Sequence, residues 1–398
     1  MCNNNTTMPS QTSNIDLDNT NTNKNEIDLK MEPLFHVKGV TLQGEFKLNH
    51  PIDWVEVESV IQDTFVDSCT STNTSFTASR LAIKSCGYTI LHMAMHPSTN
   101  APPSTVLKLI QKSTPAFLQM RDGTKGMNPL HYALLHKVPE DILTAVLDQG
   151  EPSLVLDQND HGNNALHYAI KNKVSNTILD RLLLIGEERL VTTQNSFGEN
   201  PLHWAMVEKT SEAVVESLVQ KGGANAVEGA NRSGSNLIHY AVKYKASQKV
   251  LNLFLEVGDR DLLMKVNTHG INPLQEALIT GAPHDNIKFL ATQGGKALVN
   301  ETERRGKNSL HLALEHDAAK MTIRHLVDVG GKEGILQADT NGFNPFHFAM
   351  AKNMPNDILK FLAEVGGNEV LTHTKTNKSS EPSFTLKRKQ KAVIKKLI

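Results

Sequence analysis

One spacing constrains this chain more than any other feature: 36 residues separate His131, His167, His203 and His239, and the same beat continues through Gln275 to His311 and His347. Other columns keep step. Gly126, Gly162, Gly198, Gly234, Gly270, Gly306 and Gly342 lie five residues before this slot, and an asparagine, from Asn128 to Asn344, lies three before it. An alanine follows two residues after it, from Ala133 to Ala349. A glycine from Gly150 to Gly366 closes each unit. A looser first copy holds Gly87, Thr89, His92 and Ala94. Self-similarity at such a period is the signature of a solenoid, in which each unit buries its apolar face against its neighbours.

Within one unit the punctuation predicts two helices. Gly198 suits a tight turn that needs a left-handed backbone. Asn200 suits a helix N-cap and Pro201 the first helical position. Leu202, Ala205 and Met206 share a face. A second helix starts near Ser211 with Val214, Val215, Leu218 and Val219 as its stripe, and Gly222 is expected to cap its C-terminus. The predicted class is all-α: a solenoid of stacked helix-turn-helix units whose turns project as fingers or short hairpins.

Asn-Pro-Leu-His-Tyr-Ala at 128–133 and its copies resemble the Thr-Pro-Leu-His-x-Ala signature of ankyrin repeats. The first repeat keeps the threonine, in Gly87-Tyr-Thr-Ile-Leu-His-Met-Ala94. The resemblance spans residues 84–374, about eight repeats. Two departures stand out: asparagine replaces threonine at the cap, as a chemical equivalent, and the period exceeds the usual value of about 33. The extra length is expected in the inter-helix turn and after the closing glycine. The resemblance implies a concave face of fingers and inner helices that binds proteins.

The rest of the chain divides into three. Residues 1–34 form an Asn/Thr-rich leader, expected to be disordered because it has few apolar side chains to offset chain entropy. Residues 35–83 begin with an alternation that predicts a short hairpin over 35–48, then turn helical from Asp53 through Trp54, Val57, Val60, Ile61 and Phe65. They read as an N-terminal cap on the first repeat, with a partner-binding mini-domain as the alternative. The tail, 375–398, carries eight Lys/Arg against Glu381. Thr385 to Ile398 reads as a basic amphipathic helix. Three roles compete for it: a cap on the last repeat, a nuclear import signal at Lys387 to Lys391, or a contact with nucleic acid or an acidic membrane surface.

The histidine column reads as structural, each ring tying neighbouring turns together through its two nitrogens. The aromatics that follow it, Tyr132, Tyr168, Trp204, Tyr240 and Phe348, read as packing rather than as a ligand ladder. Gln275 and Glu276 interrupt both columns, making the sixth repeat a candidate flex point. The chain has no phosphate loop, nucleophile elbow or paired-carboxylate pattern, so the expectation is a non-enzyme with no cofactor and no metal. Cys2, Cys69 and Cys86 fit a reducing compartment, and no apolar run approaches a membrane span. A cytoplasmic setting follows, with the nucleus as the alternative.

That leaves the residues the repeat does not dictate. Those flanking the turn glycines, on presumed exposed tips, are the candidate protein-binding set: Lys125, Met127, His161, Phe197, Glu199, His269, Ile271, Arg304, Arg305, Lys307 and Phe343. Arg304, Arg305 and Lys307 are expected to form one basic finger, and Phe197, Ile271 and Phe343 apolar anchors. The expected function is a scaffold that binds an unidentified protein partner and is itself monomeric. A nucleic-acid-associated adaptor using the basic tail and a recruiting subunit of an enzyme complex are the alternatives.

Overall fold

The computed structural model describes residues 37–40, 46–48, 53–55, 57–58 and 88–371. The leader, the basic tail, the three cysteines and all of 59–87, with Val60, Ile61 and Phe65, lie outside the described residues. Two strands, β1 (Val37–Val40) and β2 (Phe46–Leu48), pair antiparallel within the stretch whose alternation predicted a hairpin.

From Tyr88 onward the chain is a helical solenoid. Each first helix has an N-cap side chain in place: Thr89, then Asn128, Asn164, Asn200, Asn236, Asn272, Asn308 and Asn344. The first helices are short, as in Pro201–Val207, and pack on the first helices before and after them; the second helices stack likewise. The alanine column is buried throughout, where a small side chain lets adjacent helices approach. A second column runs through the outer helices, from Val146 and Leu182 through Leu218, Phe254, Leu290 and Leu326 to Leu362, all essentially inaccessible. Complete burial of one such side chain contributes about 1.5–3 kcal/mol, and no unit has enough of them to stand without its neighbours.

Gly150 and Gly258 cap their helices as expected, and Gly366 ends its own, but the closing glycines of the other four units do not. Gly222 is followed by Gly223 at φ 57 and ψ −156, and the helix then resumes, so that Glu212–Glu228 is one kinked element. Gly295 and Gly331 kink His284–Asn300 and Lys320–Leu336 in the same way. The segment after the closing glycine, one of the two places expected to hold the extra residues, is therefore a further helical turn. The closing glycine is needed for room: a Cβ on Gly222 would sit 2.5 Å from Cβ of Ala226, and one on Gly294 2.3 Å from Cδ2 of Leu298. In five of the seven units the residue after it takes a positive φ, a region with ψ near ±150–180 that is almost confined to glycine. Glu187 holds that position in the third repeat, at φ 49 and ψ −148.

Before the first repeat, residues 53–58 pack against it. The indole Nε1 of Trp54 donates to the carbonyl of Thr99 at 2.8 Å. The hydroxyl of Thr105 and the ammonium of Lys108 both donate to Oε1 of Glu58, at 2.8 and 3.1 Å.

Candidate functional site

The cap and the histidine work as one device. In the fourth repeat Oδ1 of Asn200 accepts the N–H of His203 at 3.2 Å, and Nδ1 of His203 accepts the N–H of Asn200, also at 3.2 Å. This is a capping box with histidine in the place usually held by Glu or Gln. The cap asparagine also does something a threonine does not. Its amide reaches 26 residues on, to the extra helical turn: Asn200 Nδ2 donates to the carbonyl of Ala226 at 2.7 Å, Asn164 to Leu190 at 2.9 Å and Asn236 to Leu262 at 2.8 Å. Asparagine and threonine are thus not equivalent here, and the cap residue and the longer period belong together.

In four repeats the outer nitrogen of the ring links to the next repeat, while Nε2 of His131 and of His203 is buried without a hydrogen bond. His92 Nε2 donates to the carbonyl of Met127, His167 to Glu199, His239 to Ile271 and His311 to Phe343, at 2.9 to 3.2 Å. Each acceptor is the residue just past the next turn glycine. Nδ1 accepts and Nε2 donates, which defines a neutral ring. Burial pushes these histidines down, to about 4 for His239 and His311 and about 3 for His167. The aromatic column packs on them edge to face: Tyr132 on His92 at 5.0 Å between centroids, Trp204 on His167 at 5.3 Å, Tyr240 on His203 at 4.8 Å and Phe348 on His311 at 5.2 Å. Both columns hold the stack together. His96 bonds the hydroxyl of Ser98 at 2.7 Å. Among the described residues no group of three His, Cys, Asp or Glu could hold a metal ion.

The turns divide the candidate residues by side of the glycine. Those before it point outward: His161, His269 and Arg305 are exposed, Phe197 is 63% exposed, and Lys125 is half-buried. Arg304 is exposed too. Those after it face inward. Met127 is 1% exposed and Lys307 9%. Ile271 and Phe343 are half-buried and give their carbonyls to the histidine column. Glu199 receives the indole N–H of Trp204 at 3.1 Å and the hydroxyl of Tyr240 at 2.6 Å. Met127 and Lys307 therefore do not belong on exposed tips. The glycine's positive φ reverses the chain and sends the next side chain toward the aromatic column. Lys307 is held by both carboxylate oxygens of Glu315, at 2.9 and 2.8 Å, and lies over the ring of Phe348 at 5.2 Å. The basic finger consists of Arg304 and Arg305.

A further column orders the turns. Asn159, Asn195, Asn231, Asn267 and Asp339 each sit three residues before a turn glycine. Each accepts backbone N–H groups from its own turn, as Asn195 does from Phe197 at 2.9 Å and Glu199 at 3.0 Å. The 36-residue spacing carries this signal as well. Successive fingers are then joined by a backbone bond, Asp160 N–H to Lys125, Ser196 to His161, Arg232 to Phe197, Thr268 to Ser233 and Thr340 to Arg305, at 2.8 to 2.9 Å.

The junction between the sixth and seventh repeats breaks this order. Glu303 replaces the asparagine, and its longer side chain accepts from Lys307 at 3.3 Å with no bond to the N–H of Arg305. Among the described residues, Arg304 N–H makes no bond to His269. Gln275 accepts the cap N–H at 3.0 Å, as the histidines do, but its amide donates to the carbonyl of Glu301 at 2.9 Å rather than to the seventh turn. Gln275 thus keeps its own helix end satisfied, and it is the junction that is loosened. The amide nitrogen of Asn272 is buried there without a partner. A cleft of about 480 Å³ opens at this place, lined by His269, Ile271, Glu303, Arg304, Arg305 and Lys307, with Leu312, Glu315 and His316 deeper along the first helix. Five of the eleven candidate residues meet in it. Lys125, Met127, His161, Phe197, Glu199 and Phe343 lie elsewhere on the array.

Comparison with known proteins completes the picture. A family model described as ankyrin repeats (3 copies) matches residues 166–265. No curated protein matches the chain. Among solved structures, the ankyrin repeat domain of Bcl-3, described as a unique member of the IkappaB protein family, aligns with a TM-score of 0.46 at 21% identity, covering 60% of this chain and 98% of that one. The units on both sides of the matched segment repeat its cap, turn glycine and helix pair. The chain carries ankyrin repeats, matched over residues 166–265.

Proposed function

We propose that this array is a non-catalytic protein-binding scaffold and that the cleft between the sixth and seventh repeats is its principal docking site. The observation that carries the reading is the junction itself. Five finger-to-finger bonds form along the described array, and the one that is missing coincides with a cleft of about 480 Å³ and the exposed Arg304–Arg305 pair. Variable turn residues on a rigid scaffold are where recognition concentrates. Here one turn also lacks the backbone bond to the turn before it, where a space opens between neighbours. The cleft floor is apolar, through Ile271, Ile279 and Leu312, and its rim is cationic. A partner segment with an apolar anchor beside a carboxylate fits both features, the buried anchor supplying most of the affinity. Among the described residues no helix is long and apolar enough to cross a membrane; an intracellular, monomeric protein is part of this proposal.

Affinity capture tests it with three baits: the full chain, Arg304→Glu with Arg305→Glu, and Glu303→Asn. The last restores the turn residue of the other repeats and should close the junction. A partner retained by the first and lost from both variants, each folded by circular dichroism, supports the site. A partner retained equally by all three overturns it.

A further inference from the structure

Opposite the turn glycines, at the C-terminal ends of the first helices, the chain must reverse again. One residue per repeat takes a left-handed backbone there. In the last three repeats it is Gly281, Asp317 or Asn353, the types that tolerate a positive φ best. In the four repeats before them it is lysine: Lys137, Lys173, Lys209 and Lys245, at φ 51 to 60. Lysine gains nothing from this backbone, so the preference for it across four consecutive repeats reflects its side chain. All four are exposed, and among the described residues none makes an ion pair. Other lysines of the array behave differently: Lys249, Lys296, Lys320 and Lys332 each pair with a carboxylate of an adjacent repeat.

Adjacent lysines of this row share clefts. Lys173 and Lys209 line one of about 200 Å³, with Ile170, Leu179 and Val214 as its floor and no acidic residue in its walls. Lys209 and Lys245 line the next, of about 340 Å³, floored by Met206, Val215 and Val250. Its one acidic wall residue, Glu212, is engaged by Ser247 and lies 3.7 Å from Lys249. The arrangement is cation, apolar cup, cation, apolar cup, cation.

We propose that Lys173, Lys209 and Lys245 form a docking row for an extended acidic peptide that places apolar side chains between its carboxylates. Packed helices stand about 8–10 Å apart, and an extended polyproline II chain has three residues per turn and rises about 3.1 Å per residue. Carboxylates on every third residue therefore share one face, about 9 Å apart, and meet successive lysines, with the residues between them beside the cups. Nucleic acid fits less well. Its phosphates are far denser, at one charge per roughly 1.7 Å of duplex, and they bring nothing apolar to the cups. This row is separate from the cleft at the sixth and seventh repeats and stands without it.

The test uses the full chain and a fluorescent twelve-residue peptide with Asp at every third position and Leu or Val between, read by anisotropy at 50 mM salt. Controls are a peptide of the same composition with its Asp residues clustered, and a single-stranded oligonucleotide of equal charge. The variant Lys173→Asn, Lys209→Asn, Lys245→Asn removes the charges while keeping residues that suit the backbone, so its melting temperature should not fall. The expected result is that the spaced peptide binds, that the clustered one binds several-fold more weakly, and that the triple variant loses at least tenfold. No binding by the natural chain, equal binding by the variant, or an oligonucleotide bound as tightly as the spaced peptide would overturn the proposal.

Discussion

Replacing His311 by glutamine should make the protein more resistant to acid without weakening it at neutral pH. His311 is neutral in the fold: Nδ1 accepts the N–H of Asn308 at 3.2 Å and Nε2 donates to Phe343 at 2.9 Å. Burial holds its pKa at about 4, while the carbonyl of Phe343 and the carboxylate of Asp339 pull weakly the other way. In the unfolded chain the ring titrates near about 6.5. The folded value is the lower one, so the unfolded state takes up the proton first. The stabilisation is present above about pH 6.5 and is lost as pH falls toward about 4. Between pH 7.5 and pH 5 one such ring costs about 2 kcal/mol, from about 1.4 kcal/mol per pH unit. Gln275 shows that glutamine can accept the cap N–H and satisfy its own amide at this position. His311→Gln should therefore match the natural protein within about 1 kcal/mol at pH 7.5 and exceed it by about 2 kcal/mol at pH 5, in urea unfolding followed by circular dichroism. Equal losses for both proteins between the two pH values would refute the neutral buried ring.

Three other substitutions probe the devices that set the repeat. Asn200→Thr keeps the cap oxygen but loses the amide bond to Ala226, and should cost about 1–2 kcal/mol in urea unfolding because a buried carbonyl is left unpaired. Glu187→Gly relieves a positive φ at ψ −148 and should raise stability by about 1–3 kcal/mol, read as a higher melting temperature. Glu303→Asn should slow hydrogen exchange at the amide of Arg304 toward the rate at Arg232, whose N–H is bonded to Phe197 at 2.8 Å. An unchanged rate at Arg304 would mean that the turn residue does not govern the junction.

Much of this architecture was legible because a repeat writes each backbone requirement several times. The turn glycines, the cap column and the buried alanines each answer to a local rule, and those rules held from Gly126 to Ala349. What was not legible depends on partners distant in sequence or on the sense of a turn. The closing glycines read as helix caps, which Gly150 and Gly258 are. Where the helix runs on, the constraint is a neighbouring side chain, as with Gly222 and Ala226. The second bond of Asn200 goes to a residue 26 positions on, which no local pattern announces. Lys307 reads as part of a basic finger until the chain reversal at Gly306, φ 74, turns it beneath Phe348 and onto Glu315. The loosened junction could have been suspected from Glu303 standing in an asparagine column. Its consequence, a missing bond between Arg304 and His269, is visible only in three dimensions.

The central claim is that partners dock at the sixth–seventh junction, and site-specific photo-crosslinking tests it most directly. A photoreactive residue would replace Arg305, at the cleft, in one protein and Met321, 57% exposed on the following second helix, in another. Docking at the cleft should give a discrete crosslinked partner from position 305 that is lost when Glu303→Asn is added, and none from position 321. The same partner crosslinked from 321 but not from 305, or a 305 crosslink indifferent to Glu303→Asn, would contradict it.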